Sequence, residues 1–459
     1  MNVPHHPTSA TQTGSATPDG PRWRAIAALA LPIIGGMVSQ NVLNLVDTAM
    51  VGSLGDAALA AVSTASFVNF ACIAGLAGLS AAVQVLAARL TGENRLDERA
   101  RPLHEGILIA LVIGIPASAL LVWIAPAIYP NDDPDVAAQA VPYLRARLVA
   151  MSAVGINFAF RGYWNGVSRS GIYMSTLIAM HVSNVILSYA LIFGVPALGI
   201  EALGALGAGV GTSIATFFGT VLYLILGVLY SRPDGFLRVG PSLESMRSLV
   251  SLGLPQSLQQ TLFALGYNVL FVIIAQIGTQ EPVAAAGVLV NLTLVAILPG
   301  LALGMTAATL VGQAIGQGDL DDAERWGWDV VKVGLVILGA LGLPMIFIPE
   351  WLLAPFLPGR PETVALAAPA LRIVGVSLAF DAVGMVLMQA LLAAGASRFV
   401  ATWSVGLQWL GFLPLAYLVG PVAGFGLTGI WLIQALQRAA QAAIFARAWR
   451  ARWWRSLVL

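Results

Sequence analysis

Runs of about twenty mostly apolar residues recur twelve times along this chain, separated by short clusters of turn-forming and charged residues. That length is what an α-helix needs to cross the hydrocarbon core of a bilayer. The runs lie roughly at 26–50, 57–88, 103–128, 137–163, 172–195, 203–230, 247–277, 283–314, 328–352, 364–394, 399–420 and 424–449. Of the 459 residues, 58% are hydrophobic and only 10% charged, whereas a soluble domain carries about 25% charge. The fold class is therefore an all-α polytopic membrane protein, and the lipid bilayer is its obligatory partner. A net charge of +1 gives no basic balance to point to nucleic acid. The single cysteine, Cys72, excludes an intramolecular disulfide and a cysteine-based metal cluster. The first twenty residues are polar, with no apolar core or cleavage site, and read as a disordered tail and not a signal peptide. No obligate protein partner is evident in the sequence.

Charge asymmetry orients the spans. Of 23 Lys and Arg, 19 fall on one side in this reading, Arg438 and the tail from Arg447 to Arg455 among them. Arg145, Arg147, Arg360 and Arg372 fall on the other, with the acidic loop Asn131-Asp132-Asp133-Pro134-Asp135. Both termini are then expected in the cytoplasm, and the protein in the plasma (inner) membrane. The tryptophans of the basic tail (Trp449, Trp453, Trp454) read as an interfacial anchor.

The chain also repeats itself. Leu31-Pro32 returns as Leu254-Pro255, Gly78 and Gly92 as Gly304 and Gly318, Gly114-Ile115-Pro116 as Gly342-Leu343-Pro344, and Gly166-Val167-Ser168-Arg169 as Gly395-Ala396-Ser397-Arg398. Order is kept while the offset drifts by a few residues. Six spans per copy give both copies one orientation, the parallel-repeat arrangement of secondary transporters. The expected architecture is two pseudo-symmetric six-helix lobes around a central cavity. Its divisions are a disordered cytoplasmic tail at 1–24, an amino-terminal lobe at 25–230, a cytoplasmic linker at 231–246, a carboxy-terminal lobe at 247–450 and a cytoplasmic tail at 451–459.

Function is sought in the polar groups at membrane depth. Asp47 ends the first span, and a carboxylate there costs roughly 2.5–3.5 kcal/mol on insertion scales. Gln40, Asn44 and Asp47 share one helical face, with Gly36 a turn earlier. Such a stripe faces a lobe interior or a water-filled cavity, because unpaired polar groups are costly against lipid. In the fifth span His181, Asn184 and Ser188 form a second stripe, and Thr212 of the sixth lies at similar depth. Asp47, Asn184, Ser188 and Thr212 together offer hard oxygen ligands, suited to H⁺ or a small hard cation. Asp47 would be a metal ligand only if that cation is Na⁺, and no other cofactor is expected. His181 is a candidate proton relay, with a packing histidine as the blander reading.

In the second lobe Asp381 lies near the middle of the tenth span, with Met385 and Met388 on the same face. Gln260 and Tyr267 share a face of the seventh span. An acid beside adaptable apolar side chains suits small-molecule organic cations. The plainer alternative pairs Asp381 with an arginine such as Arg372. Gln40, Asn44, Asp381, Met385, Met388, Tyr267 and Gln260 are thus the candidate substrate contacts.

These residues resemble the multidrug and toxic compound extrusion (MATE) family, closest to its NorM-like branch. The likeness rests on Leu31-Pro32, on Val46-Asp47-Thr48-Ala49-Met50-Val51-Gly52, on Ala60-Ala61-Val62-Ser63, and on Gly92-Glu93-Asn94-Arg95 with Gly318-Asp319-Leu320-Asp321. It implies a secondary active antiporter that exports amphipathic, mostly cationic drugs against inward H⁺ or Na⁺ by rocking-bundle alternating access, and not an enzyme. By the same resemblance Asp47 matches the coupling acid, Asn184 a fifth-helix Asn, and Asp381 the tenth-helix acid. Ser188 stands where some members carry Asp, which implies a weaker amino-lobe site; Phe263 stands where the branch carries a seventh-helix Glu, which implies an incomplete carboxy-lobe cation site and coupling through the amino-terminal lobe alone. The alternative is a lipid-linked precursor flippase of related fold, expected to carry more spans and a basic cavity. Arg161 reads as the one arginine well inside a span.

Overall fold

The computed structural model describes residues 21–128, 134–277 and 280–457. The expected disordered tail falls almost wholly outside these residues, as does 131–133 of the acidic loop. The described chain is helical: α1 (Arg22–Gly52), α2 (Asp56–Gly92), α3 (Arg101–Ile128), α4 (Pro134–Val149), α5 (Met151–Gly166), α6 (Ser170–Phe193), α7 (Ala205–Tyr230), α8 (Leu243–Ala275), α9 (Gln280–Gly316), α10 (Leu320–Phe347), α11 (Pro349–Leu353), α12 (Pro361–Ala393), α13 (Ser397–Gly406), α14 (Leu413–Tyr417) and α15 (Gly426–Arg450). In a bilayer every backbone polar group must be satisfied within the segment, which is why continuous helix prevails.

Ten segments among the described residues are long and apolar enough to cross a membrane by themselves. The other two spans have identifiable reasons for falling short. The fourth is broken at Ala150 into α4 and α5. The twelfth, α15, carries Gln434, Gln437, Arg438 and Gln441 on a single stripe, which lowers its hydropathy. The eleventh span joins α13 and α14 through a π-helical turn, Leu407–Phe412, and a second, Leu418–Val422, follows α14. Such widened turns redirect side chains and recur at functional sites. Pro32 and Pro255 sit inside α1 and α8 at matching places in the two copies.

The lobes join in the half that carries the termini. Gly78 of α2 lies so close to α8 that an added Cβ would stand 2.1 Å from the Gly253 carbonyl oxygen. Small residues allow such backbone approach, which is how membrane helices gain packing energy without a hydrophobic drive. Gln84 Nε2 donates to the Met305 carbonyl (2.6 Å) and to Thr309 Oγ1 (2.9 Å). Arg89 Nη2 donates to the Ala393 carbonyl at 2.6 Å. At the rim Arg22 meets Asp322 (2.6 Å) and Asp329 (2.7 Å), with its guanidinium 3.7 Å from the Trp326 ring centroid. The hydrogen bonds described between the lobes all lie from mid-depth to this rim; the outer halves of α1, α2, α8 and α9 have none among the described residues. The fold is a V closed at the terminal end.

Two expectations are corrected in these regions, at the first helix and at the carboxy-terminal segment. The first helix starts at Arg22, inside the stretch expected to be tail. The stretch between the lobes is held against the first lobe. Asp234, fully buried, accepts from Arg99 (2.5 Å), Arg169 (3.2 Å) and the Tyr163 hydroxyl. Glu105 accepts from the Ser242 N–H (2.9 Å) and the Ser245 hydroxyl (2.5 Å) at the start of α8. The carboxy-terminal segment does not reach to the interface as an anchor. Trp454 stacks on Trp449 with centroids 4.4 Å apart, both rings are buried, and Arg455 pairs with Asp321 and Glu324. Two indoles stacked inside the lobe exclude more water than they could at a headgroup surface.

Candidate cation site and substrate cavity

Helical period brings part of the first-lobe stripe into one hydrogen-bonded chain. His181 sits midway along α6 and is 5% exposed. Its Nδ1 lies 3.0 Å from Ser39 Oγ and its Nε2 3.0 Å from Gln40 Oε1. Gln40 Nε2 donates to Asn44 Oδ1 at 3.2 Å. With Nε2 protonated and the Ser39 hydroxyl donating to Nδ1, the neutral ring is fully satisfied. The Ser39 hydroxyl also lies 2.8 Å from the Gly36 carbonyl, to which it donates when it is not donating to the ring. The pair α1–α6 is thereby tied at mid-depth.

One turn beyond Asn44 stands Asp47, half-buried in the outer half of α1. Its Oδ1 is buried and has no hydrogen-bond partner among the described residues. The opposite charge acting on it is Arg147 of α4, which makes no ion pair with it within 4.0 Å. Asn184 and Ser188, both buried, bond to each other, Ser188 Oγ donating to Asn184 Oδ1 at 3.2 Å. Ser188 packs against Gly211 of α7, where an added Cβ would come within 2.8 Å. Thr212 spends its hydroxyl on the Ala208 carbonyl at 2.8 Å. So the structure joins Gln40, Asn44 and His181, leaves Asp47 without a hydrogen bond on Oδ1, and holds Asn184 and Ser188 as a pair facing α7. An oxygen cluster closed around Asp47 is absent from this arrangement.

The second lobe holds a cavity of about 200 Å³. Gln260, Tyr267, Met385 and Met388 line it, four of the residues expected to contact substrate. Tyr267 meets Phe263 edge-to-face at 5.0 Å, so the position that the resemblance assigns to an acid is an apolar wall. Met388 accepts from Gln259 Nε2 through its sulfur at 3.5 Å. Gln40 and Asn44 are not among the residues lining this cavity. Phe70 of α2 is, so the cavity touches the cleft between the lobes.

Asp381 differs most from expectation. It is 4% exposed, does not line the cavity, and its partner is Arg438, with Nε 3.5 Å from Oδ1. Arg372 instead pairs with Glu350 at 2.8 Å on the outer side. Arg438 was counted with the cytoplasmic flank, yet it sits twelve residues into α15, about 18 Å along the axis. Its side chain is 13% exposed. Arg161, whose Nε donates to Ser80 Oγ at 2.9 Å, is therefore not the one deep arginine. The signal that locates Arg438 is present in the sequence: Gln434, Gln437, Arg438 and Gln441 are spaced i, i+3, i+4, i+7, a polar stripe that cannot face lipid. Gln408 was missed for a different reason. A π-helical turn aims it inward, and no residue pattern announces such a turn.

A protein-family model described as MatE matches residues 32–190 and 255–418. The probable multidrug resistance protein NorM of Agrobacterium fabrum (strain C58) is 28% identical over 430 residues, covering 89% of each chain. The multidrug resistance protein NorM of Burkholderia vietnamiensis is 27% identical over 467 residues, covering 96% of each. Among solved structures, one titled as the outward-facing conformation of a multidrug resistance MATE family transporter of the MOP superfamily superposes with a TM-score of 0.87 at 21% identity, covering 95% of this chain and 97% of that one. A MOP superfamily transporter from Pyrococcus furiosus, titled as having a binding pocket of reverse polarity, gives 0.86 at 20%, with the same coverage. The matched segments take in both lobes, with Asp47, His181 and Asp381 inside them, and the chain belongs to the MatE family of membrane transporters.

Proposed function

We propose that this protein is a multidrug efflux transporter that exchanges a cytoplasmic amphipathic compound for an inward-moving H⁺ or Na⁺ bound at Asp47. One observation carries the reading: a half-buried carboxylate on the open side of the V whose Oδ1 has no hydrogen bond among the described residues. A buried carboxylate oxygen without a partner is costly, and a bound proton or cation removes that cost. With both termini in the cytoplasm, as the charge rule has it, the closed end faces inward and the open end outward. Cation binding at Asp47 then weakens the hold on a cationic compound in the cleft, and the compound leaves outward. The lobes rock, the cation leaves to the cytoplasm, and a new compound loads there. Bending at Pro32 couples the acid to the seam at the inner end of α1. His181 sits where such bending is felt, between Ser39 and Gln40.

The flippase alternative needs a basic cavity for a pyrophosphate. Among the residues lining the carboxy-lobe cavity Arg438 is a single guanidinium, too little positive charge for a pyrophosphate, which favours the drug exporter.

The test is dye efflux from proteoliposomes with pH and Na⁺ gradients imposed separately. Efflux driven by one of the two supports the proposal and names the ion. Efflux indifferent to both, at full rate, overturns it.

A further inference from the structure

The carboxy-lobe cavity presents a cation and not an acid. Arg438 lines it, while Asp381 lies behind the guanidinium and out of the lining. At 3.5 Å the Nε–Oδ1 contact is too long for a strong hydrogen bond. The Tyr267 hydroxyl also accepts from this guanidinium, but the planar fork carries five N–H donors, so others remain for a further acceptor. The surroundings fit one. Gln434, Gln437 and Gln441 flank Arg438 on the same stripe of α15 and add amide donors. One further group in the lining that can donate is buried and without a partner, the Ser404 hydroxyl, 8% exposed as a residue. The opposite wall is apolar and aromatic, with Phe263 against Tyr267 and Met385 beside them.

We propose that this cavity binds the carboxylate end of a small aromatic compound, with Arg438 as the anchoring group and the α15 glutamine amides and the Ser404 hydroxyl as orienting contacts. A planar carboxylate takes the fork in bidentate fashion, the ring lies on the aromatic and methionine wall, and Asp381 competes for the same guanidinium. An organic cation placed there meets Arg438 first and gains nothing from the acid behind it. The inference names a ligand class for this cavity separate from the cationic compound that Asp47 acts on in the cleft, and rests on the export reading only for its physiological sense.

Equilibrium binding without any gradient keeps the two apart. Quinoline-3-carboxylate, quinoline-3-carboxamide and quinoline-3-methanamine are titrated calorimetrically at neutral pH into purified protein in detergent. The expected result is carboxylate binding at least tenfold tighter than the amine, with the amide between. Arg438→Gln is expected to abolish that order. Asp381→Asn, which frees the guanidinium, is expected to tighten the carboxylate severalfold. The double variant Asp381→Asn/Arg438→Gln leaves no charge unpaired, so it is expected to keep the wild-type melting temperature and lose the preference. Tighter binding of the amine by the wild type, a carboxylate preference surviving in the double variant, or no binding of any of the three at millimolar concentration would each overturn the proposal.

Discussion

His181 and Arg438 show how far a residue's role depends on what faces it. Both ring nitrogens of His181 are partnered, so its first task is to tie α1 to α6. His181→Ala leaves Gln40 Oε1 without its partner, at about 1–3 kcal/mol. The melting temperature in detergent is expected to fall by a few degrees, and His181→Gln to recover part of that loss. If efflux fell in His181→Gln while the melting temperature stayed at the wild-type value, the ring would be acting as the relay. Residue type and spacing were enough to pick out Asp47, Gln40, Asn44 and His181 before any fold was known, because polar side chains in apolar runs are rare and conspicuous. Spacing already puts Ser188 one turn from Asn184 on the same helix, where the two bond to each other, but it did not reveal that Arg438 claims Asp381. That pairing depends on which helix lies opposite, and it is decided by tertiary packing.

At the scale of elements, the glycine repeats have a mechanical meaning. Gly78 and Gly253 face each other across the seam between the lobes, α2 against α8. Gly78→Ala puts a methyl 2.1 Å from a backbone oxygen, and overpacking of that kind costs about 1–3 kcal/mol. The seam is expected to part, and the loss to appear as a lower melting temperature with slower efflux, while Gly52→Ala, in open space, changes neither. The eleven apolar segments that stayed in one piece are legible as runs of the right length, with boundaries off by a few residues. The break at Ala150, the π-helical turns and the clamped linker are not. Each depends on a contact distant in sequence, such as Asp234 accepting from Arg99 and Tyr163.

For the whole molecule, closure at the terminal end is held by a small number of strong contacts, and Arg22 makes three of them with Asp322, Asp329 and Trp326. Arg22→Ala is expected to shift the population toward a state open at that end. Spin labels at Leu96→Cys and Gln317→Cys, in a Cys72→Ser background, place one probe on each lobe beside the seam. A single short distance in the parent and an added longer component in the Arg22→Ala variant is the expected outcome; identical distributions would remove Arg22 from the seal. The internal repeat gave two lobes of one orientation, yet which end is closed cannot be read from a sequence that must serve both states. The most direct test of the exchange mechanism is to follow the counter-ion itself. In proteoliposomes without any imposed gradient, adding exported compound to one side is expected to drive H⁺ or Na⁺ the opposite way in the wild type. In Asp47→Asn that ion movement is expected to vanish while the compound still binds. Ion movement of wild-type size in Asp47→Asn would contradict the account.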